Sequence, residues 1–160
     1  MGITVDVSQI EGFQQKIQAL NGTQRDMFFR ESCMDGASRL VELVKPLTPA
    51  KSGNLRKGWD DSLSKLSPMG VSQSIGGGGG VYSVTLENAA QDPVSGVYYA
   101  SYVENGHRQT PGRYVPVLGK KLVKSWVEGK HMLEISEGIL SGVLPGVIQA
   151  RLDAFLRTVF

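Results

Sequence analysis

Side chains that could catalyse a reaction or hold a metal are few in this 160-residue sequence. The two histidines, His107 and His131, stand apart, and neither belongs to an HExxH, HxxxH or His/Asp cluster with metal-ligand spacing. Asp60 and Asp61 are adjacent, so their side chains diverge and do not form a general acid and base pair. There is no Gly-x-Ser-x-Gly nucleophile motif. These observations predict that the protein is not an enzyme and has neither a cofactor nor a metal site.

Two further side chains could be reactive. Cys33 is the single cysteine, which excludes an internal disulfide and suits a protein made in a reducing cytoplasm. Because Cys33 lies in an apolar helical pattern, we expect it to be a core residue rather than a nucleophile. Glu104 lies beside aromatic residues and before an Asn-Gly turn. Its carboxylate is either a surface group at the end of a helix or half of an ion pair at a subunit contact.

Positive charge is concentrated in one segment, although the formal net charge is only +2. Residues 108–130 hold one carboxylate, Glu128, and six cations. The cations are Arg108, Arg113, Lys120, Lys121, Lys124 and Lys130. Such an excess is typical of a solvated surface. The alternative is a face that contacts DNA phosphates or an acidic partner subunit, through the first five of these side chains.

The elements that must position these residues begin with an alternating, β-branched run that predicts a short strand from Ile3 to Val7. A helix over residues 8–20 follows, so residues 1–22 can form a strand–helix arm. From Thr23 to Lys45, apolar residues at spacings of three and four predict a long amphipathic helix that Pro46 ends. Its apolar face is expected to hold Met27, the stem of Arg30, Met34, Ala37, Val41 and Val44, widened by Cys33 and Leu40.

The middle of the chain is expected to supply the strands. Residues 53–59 indicate a turn of helix or a tight loop, and residues 62–71 can form a strand. Residues 81–86 alternate and predict a clear strand. The five glycines 76–80 are typical of a flexible hairpin tip or an unstructured loop, because no Gly-Lys-Ser/Thr phosphate-binding motif follows them.

The C-terminal part is predicted to be mostly helical. Residues 99–104 indicate a short helix, with a strand as the alternative, and Asn105-Gly106 ends it. Residues 107–119 contain two prolines and two glycines and are expected to be irregular, whereas residues 120–127 can form a helix. Pro145 is expected to open the last helix. The apolar face of that helix is Ile148, Leu152, Phe155, Leu156 and Val159.

This order of elements favours an α+β fold over residues 1–160 as a single domain. Consecutive strands, rather than alternating strand–helix crossovers, indicate a small antiparallel sheet packed with a long helix in the N-terminal half and a C-terminal helix. No apolar run approaches the roughly 18 residues of a membrane span. The longest candidate, residues 139–148, contains two glycines, a serine and a proline, so no membrane contact is expected.

Two segments are rich in residues that shape turns or contacts. In residues 46–59, prolines end the long helix, Gly53 permits tight geometry, and Leu55 can pin the segment to the core, with Arg56 and Lys57 facing outward. In residues 98–107, three tyrosines within five residues provide rigid amphipathic contact area. The second segment therefore indicates a subunit interface, and the alternative is that its tyrosines cover an edge of the core.

At these residues the chain resembles the neck, tail-completion and minor tail proteins of long-tailed bacteriophages and prophages. Members carry Thr-Pro-x-x-Thr/Ser-Gly-x-Leu-Arg/Lys after a long helix, and later Tyr-Ala-x-Tyr-Val/Ile-Glu-x-Gly-Thr/His. The first motif is matched by Thr48, Pro49, Ser52, Gly53, Leu55 and Arg56. The second is matched by Tyr99, Ala100, Tyr102, Val103, Glu104, Gly106 and His107. A third piece, a glycine before a bulky residue and a terminal helix, is approached by residues 126–133, but the Pro-Phe-x-x-Pro-Ala that usually precedes the last helix is replaced by Gly-Lys-His-Met-Leu.

The resemblance implies a virion protein that acts by its position in the neck or tail. Its partners would be copies of itself in a ring of six, together with neck, tail-terminator or tail-tube proteins, close to packaged DNA. Heterologous contacts that close into a ring suit such a role. The residues expected at subunit interfaces are Arg56, Lys57, Trp59, Tyr99, Tyr102, Glu104 and His107. The alternatives are a minor tail component, a DNA-contacting module that uses the basic segment, and a tail-associated hydrolase.

Overall fold

The computed structural model describes residues 2–6, 20, 22–50, 53–76 and 79–160. Within these ranges the helices are α1 (Gly22–Leu47), α2 (Asn54–Ser64), α3 (Ala100–Asn105) and α4 (Met132–Val159). The strands are β1 (Gly2–Asp6), β2 (Ser72–Gly76), β3 (Gly79–Thr85), β4 (Gly106–Arg108), β5 (Tyr114–Val115), β6 (Lys120–Lys121) and β7 (Trp126–Glu128). The structure is therefore α+β with small antiparallel sheets, as the sequence predicts. The helix predicted over residues 8–20 falls outside the described residues, apart from Leu20.

Helix α1 is the long helix predicted from Thr23 to Lys45, and it extends two residues further, with Pro46 in its last turn. Its buried face differs from the predicted one. Met27 is 54% exposed, whereas Phe28 and Phe29 are buried. The stripe begins one position later than predicted because two adjacent phenylalanines remove more apolar surface from water than one methionine. Cys33 lies on this face with no exposed surface, which confirms that it is a core residue.

Three strands form a sheet that packs against α1. Strand β3 is central, with β1 on one side and β2 on the other, both antiparallel to it. The Tyr82 ring of β3 stacks on Phe29 of α1 at 5.0 Å, and its hydroxyl donates to the Asp26 carboxylate at 3.3 Å. The predicted strands at residues 3–7 and 81–86 are confirmed with small shifts of their ends, and the glycine run joins β2 to β3, since Gly76 pairs with Gly79.

Helix α2 differs from both predictions made for residues 53–71. The segment expected to be one turn or a loop is an 11-residue helix, and the strand predicted over residues 62–71 is wrong. Leu55, Trp59 and Ser62 are all buried, and their spacings of four and three place them on one helical face. The strand begins only at Ser72, after a short 3-10 helix at residues 68–70.

Helix α4 contains Pro145 in its interior, so the prediction that this proline opens the last helix is wrong. Its buried residues recur every four positions across the glycine-rich part of the sequence. They are Met132, Ser136, Leu140, Leu144, Ile148 and Leu152. Pro145 itself is exposed, so water can satisfy the carbonyl that it leaves without a helical partner. The helix packs along α1, where the rings of Phe155 and Phe28 lie 5.6 Å apart.

Length and composition alone would allow α4 to cross a membrane, and 22% of its most apolar 18-residue window is buried. That property is also common among core helices of globular proteins. Here the buried side of α4 forms part of the same hydrophobic core as α1 and β3. The expected absence of membrane contact stays a prediction.

Residues 106–128 form a β-hairpin, which we call the arm. Strand β4 pairs with β7 near its root, and β5 pairs with β6 near its tip. The helix predicted over residues 120–127 is therefore wrong. Residues 107–119, which were expected to be irregular, form the first half of the hairpin. Helical order fails here because none of the arm residues whose burial is described is buried, so no apolar face stabilises a helix.

Candidate assembly surfaces

The first family-like motif forms the junction between α1 and α2. The Thr48 side chain is buried, and its hydroxyl donates to the Val44 carbonyl at 2.7 Å and accepts from Nε1 of Trp59 at 3.0 Å. The Thr48 carbonyl accepts from Nε of Arg56 at 2.9 Å. The Thr48 hydroxyl, the Thr48 carbonyl and the Trp59 indole N–H therefore all have hydrogen-bond partners. The motif holds two helices at a fixed angle.

This junction corrects part of the predicted interface. Trp59, expected at a subunit contact, has no exposed surface and belongs to the core. Arg56 is half-buried and bonded to the chain itself, so it does not face outward as expected. Lys57 is exposed, as the sequence predicts for it. Of these three residues, only Lys57 has a side chain free to meet another subunit.

The segment that follows β3 is tied to α2. The Asn88 amide donates to the Leu55 carbonyl at 2.8 Å, and its oxygen accepts the Ala90 N–H at 2.8 Å. Gly58 lies so close to this turn that a Cβ there would fall within 3 Å of Asn88 and Ala90. A glycine is required at residue 58 because the two backbones touch.

The second family-like motif caps α4. The two oxygens of Glu104 accept the N–H groups of Leu133 and Glu134 at 2.9 and 3.0 Å. The N-terminus of a helix leaves such N–H groups unpaired, and its dipole favours a negative charge there. Glu104 is 9% exposed, so the expectation of a surface carboxylate is wrong. The carboxylate instead acts within the chain as the N-terminal cap of its longest helix.

The backbone around this cap is closely packed where the arm begins and ends. Gly106 has a φ of 80°, and a Cβ there would fall within 3 Å of the Val127 carbonyl. A Cβ at Gly129 would likewise meet the Glu104 carbonyl and Gly106. The His131 N–H donates to the Glu104 carbonyl at 3.1 Å. The two ends of the arm therefore approach each other closely at Gly106 and Gly129, where they are fixed to α3.

The remaining residues of the second motif lie near this point. Tyr102 is half exposed, Tyr99 is partly buried against the core, and the Tyr102 and His107 rings meet edge to face at 6.1 Å. Nδ1 of His107 is buried without a hydrogen-bond partner among the described residues. His131 is exposed, with Nδ1 2.9 Å from the Glu134 carboxylate. Tyr102 is thus the tyrosine of the predicted interface that is most available to a partner.

A groove of about 830 Å³ lies between α2, residues 86–89, α3 and the first turns of α4. Four carboxylates line it, and Lys65 is the one cation among the described lining residues. The carboxylates belong to Glu87, Glu104, Glu134 and Glu137. Burial raises the pKa of Glu137 above its ordinary 4.5, and the nearby Glu104 raises it further.

The groove offers little for catalysis. Both oxygens of Glu104 are occupied by backbone N–H groups, so this carboxylate is not free to act as a general base. The described residues that line the groove include neither histidine nor cysteine. Throughout the described part of the chain, no three His, Cys, Asp or Glu side chains are grouped to hold a metal.

The arm has the opposite character. It carries five cations, Arg108, Arg113, Lys120, Lys121 and Lys124, all exposed. Within the described part of the chain, none of these side chains forms an ion pair or a hydrogen bond. The arm also exposes large apolar side chains. These are Tyr114, Leu118, Val123 and Trp126, with Val123 86% exposed.

A third exposed surface runs along α4. Ile135, Ile139 and Val143 are each about half exposed, and their spacing of four places them on one stripe. This stripe flanks the buried face of the same helix, because each of its residues follows a buried residue by three positions. Neither the stripe nor the acidic groove was predicted from the sequence. The groove could not be predicted because Glu87 and Glu137 are distant in sequence, and only the packing of α4 beside residues 86–89 brings them together.

Comparison with known protein families identifies the chain as a phage protein. Residues 11–106, more than half of the chain, match the family described as "Bacteriophage HK97-gp10, putative tail-component". The chain therefore belongs to the HK97-gp10-like family of phage tail components, which confirms the resemblance noted in its sequence. Searches of curated proteins and of solved structures found no match to it.

Proposed function

We propose that this tail component joins or completes the phage tail at the head–tail neck by assembling into a ring, of six copies as the resemblance implies. Membership of the family gives the coarser role, a structural part of the tail. The arm is the observation that carries the finer one. An isolated two-stranded hairpin is marginally stable in water, and this one exposes aromatic and aliphatic side chains without a core of its own.

The two family-like motifs support a structural role. Their distinctive side chains, Thr48, Arg56 and Glu104, are bonded within the chain at helix junctions. A protein whose most distinctive polar groups hold its own helices together has few left for chemistry. We therefore propose that it acts by presenting surfaces, and that residues 1–160 form a single domain for this purpose.

Loss of the protein from the phage tests the role. A nonsense mutation in its gene, grown with and without a plasmid copy, should yield filled heads and separate tails in electron micrographs. Heads that carry joined but non-infectious tails would instead assign the chain to a minor tail position. Normal infectious particles that lack the protein would contradict a structural role in the tail.

The purified chain provides a second test of assembly. Sedimentation over a range of concentrations, followed by negative-stain imaging, should show a closed ring of defined mass. A mixture of open chains of increasing length would contradict ring closure, because heterologous contacts that do not close form filaments.

A further inference from the structure

The arm and the groove are complementary surfaces of the same chain. The arm carries five exposed cations and one carboxylate, Glu128. The groove is lined by four carboxylates and one lysine, Lys65. Charges of opposite sign on two surfaces steer association and set which surfaces meet.

We propose that the arm of one copy docks in the acidic groove of the next copy, so that subunits join head to tail. This inference rests on the proposed self-assembly and specifies which surfaces form the contact. Two different patches on each copy make the contact heterologous, which is the type of interface that generates rings.

The carboxylates available to a neighbour are Glu87 and Glu137, since Glu104 is occupied by its helix cap and Glu134 lies 2.9 Å from Nδ1 of His131. Glu137 is partly desolvated, and this burial, with the nearby Glu104 carboxylate, raises its pKa. An incoming lysine or arginine would favour the ionised form and lower that pKa. The contact would therefore relieve an electrostatic cost present in the isolated chain.

Apolar groups on both surfaces add to the charge match. Leu133 and Tyr98 line the groove, and Tyr98 is 59% exposed. Tyr114 and Leu118 lie at the tip of the arm, where the chain turns at Gly119 with a φ of 63°. Aromatic side chains surrounded by a polar rim are the usual anchors of protein interfaces.

Head-to-tail docking is tested by two complementary variants. The arm variant combines Lys120→Glu with Lys121→Glu, and the groove variant combines Glu87→Lys with Glu137→Lys. Each variant alone should fail to assemble, with its self-association weakened at least about tenfold in sedimentation experiments, because like charges then face each other.

Mixing the two variants gives the decisive result. In the mixture every arm can meet a groove of opposite charge, because the intact arm of the groove variant fits the intact groove of the arm variant, and the acidic arm of the arm variant fits the basic groove of the groove variant. The mixture should therefore recover assembly, with the two variants alternating in it. Assembly of either variant alone at the wild-type concentration would overturn the proposal.

A matched control separates the contact from general effects of charge. Glu42 and Asp61 are exposed acids outside the groove, and Glu42→Lys with Asp61→Lys changes the net charge by the same amount. This control should assemble like the wild-type chain. Equal loss of assembly in the control and in the groove variant would contradict docking in the groove.

Cross-linking provides a readout that does not depend on charge reversal. Cys33 is buried, so a bismaleimide should react only with introduced cysteines. A mixture of Lys121→Cys and Glu87→Cys chains should give a cross-linked dimer, both in solution and in virions, whereas Lys121→Cys mixed with Glu42→Cys should not. Absence of the first cross-link in assembled rings would overturn the arm contact and leave ring assembly standing.

DNA is the competing partner for the arm. Binding of a DNA duplex that falls steeply with salt, and that the arm variant loses while its ring assembly is unchanged, would assign the cations to DNA and overturn docking in the groove. Normal virions without the protein would instead contradict the proposed function itself.

Discussion

The two family-like motifs and the arm differ in how the chain uses their polar and aromatic residues. At the motifs, Trp59 and Glu104 are buried and hydrogen-bonded within the chain. In the arm, Trp126 and the cations are exposed and contact no core. Tryptophan thus stabilises the fold in one region and remains exposed in the other. The difference shows that a distinctive motif can serve folding, while a segment without such a motif leaves its aromatic and charged side chains exposed.

The largest expected difference concerns tryptophan. Trp59→Ala should lower the free energy of unfolding by about 3–5 kcal/mol, because it leaves a cavity in the core. Trp126→Ala in the arm should change it by about 1 kcal/mol or less. Chemical denaturation of the two variants measures both values, and equal losses would remove the distinction between motif and arm.

A smaller loss is expected at the α1–α2 corner. Thr48→Val keeps the shape of the side chain but leaves Nε1 of Trp59 without its acceptor, which should cost about 1–3 kcal/mol. Thr110→Val, at an exposed arm position, is the matched control and should be neutral within about 0.5 kcal/mol. Thermal unfolding of both variants makes the comparison, and a neutral Thr48→Val would show that this hydrogen bond contributes nothing.

The helix cap is expected to contribute a similar or smaller amount. Glu104→Ala removes the acceptor of two N–H groups at the start of α4 and should cost about 0.5–2 kcal/mol. Glu128→Ala, an exposed carboxylate in the arm, should have little effect. Hydrogen exchange should show faster exchange of the Leu133 and Glu134 amides in the first variant alone. Unchanged exchange there would contradict the cap.

The smallest expected effect depends on pH and concerns Glu137 in the groove. Because its pKa is raised in the folded chain, the unfolded chain ionises first as pH rises above 4.5, and the stability that this residue contributes at low pH is lost. Glu137→Gln should therefore gain stability relative to the wild-type chain as pH rises from about 4 to about 7. The gain should be about 0.5 kcal/mol or less, since the residue is only partly buried. A stability difference that is constant with pH would contradict the raised pKa.

Local patterns were sufficient to predict part of the fold. The 3.6-residue period located α1, and the alternation of residues 81–86 located β3, because each of these signals is contained in one element. The α+β class followed from the order of these elements. The start of α4 was predicted wrongly from Pro145 and the glycines around it. Tertiary packing of every fourth residue of α4 outweighs the low helix propensity of proline and glycine.

The candidate surfaces were less predictable. The cations of the arm were visible in the sequence as a cluster, but their placement on a hairpin depends on pairing between residues about 20 positions apart. The acidic groove joins four carboxylates from three segments of the chain. The resemblance to phage neck and tail proteins predicts Trp59 and Glu104 at an interface, whereas burial, which a single sequence does not show, gives them structural roles.

The close approach of Gly106 and Gly129 makes the arm a structurally separate part of the molecule that can be replaced. Both strands leave the body of the molecule at one pinned point, so the hairpin beyond it can be shortened, lengthened or grafted while α3 and α4 keep their places. With the head-to-tail docking proposed above, a trimmed arm would yield a subunit that accepts one neighbour but cannot recruit another. Such a chain terminator would provide a means of counting the copies in a finished assembly.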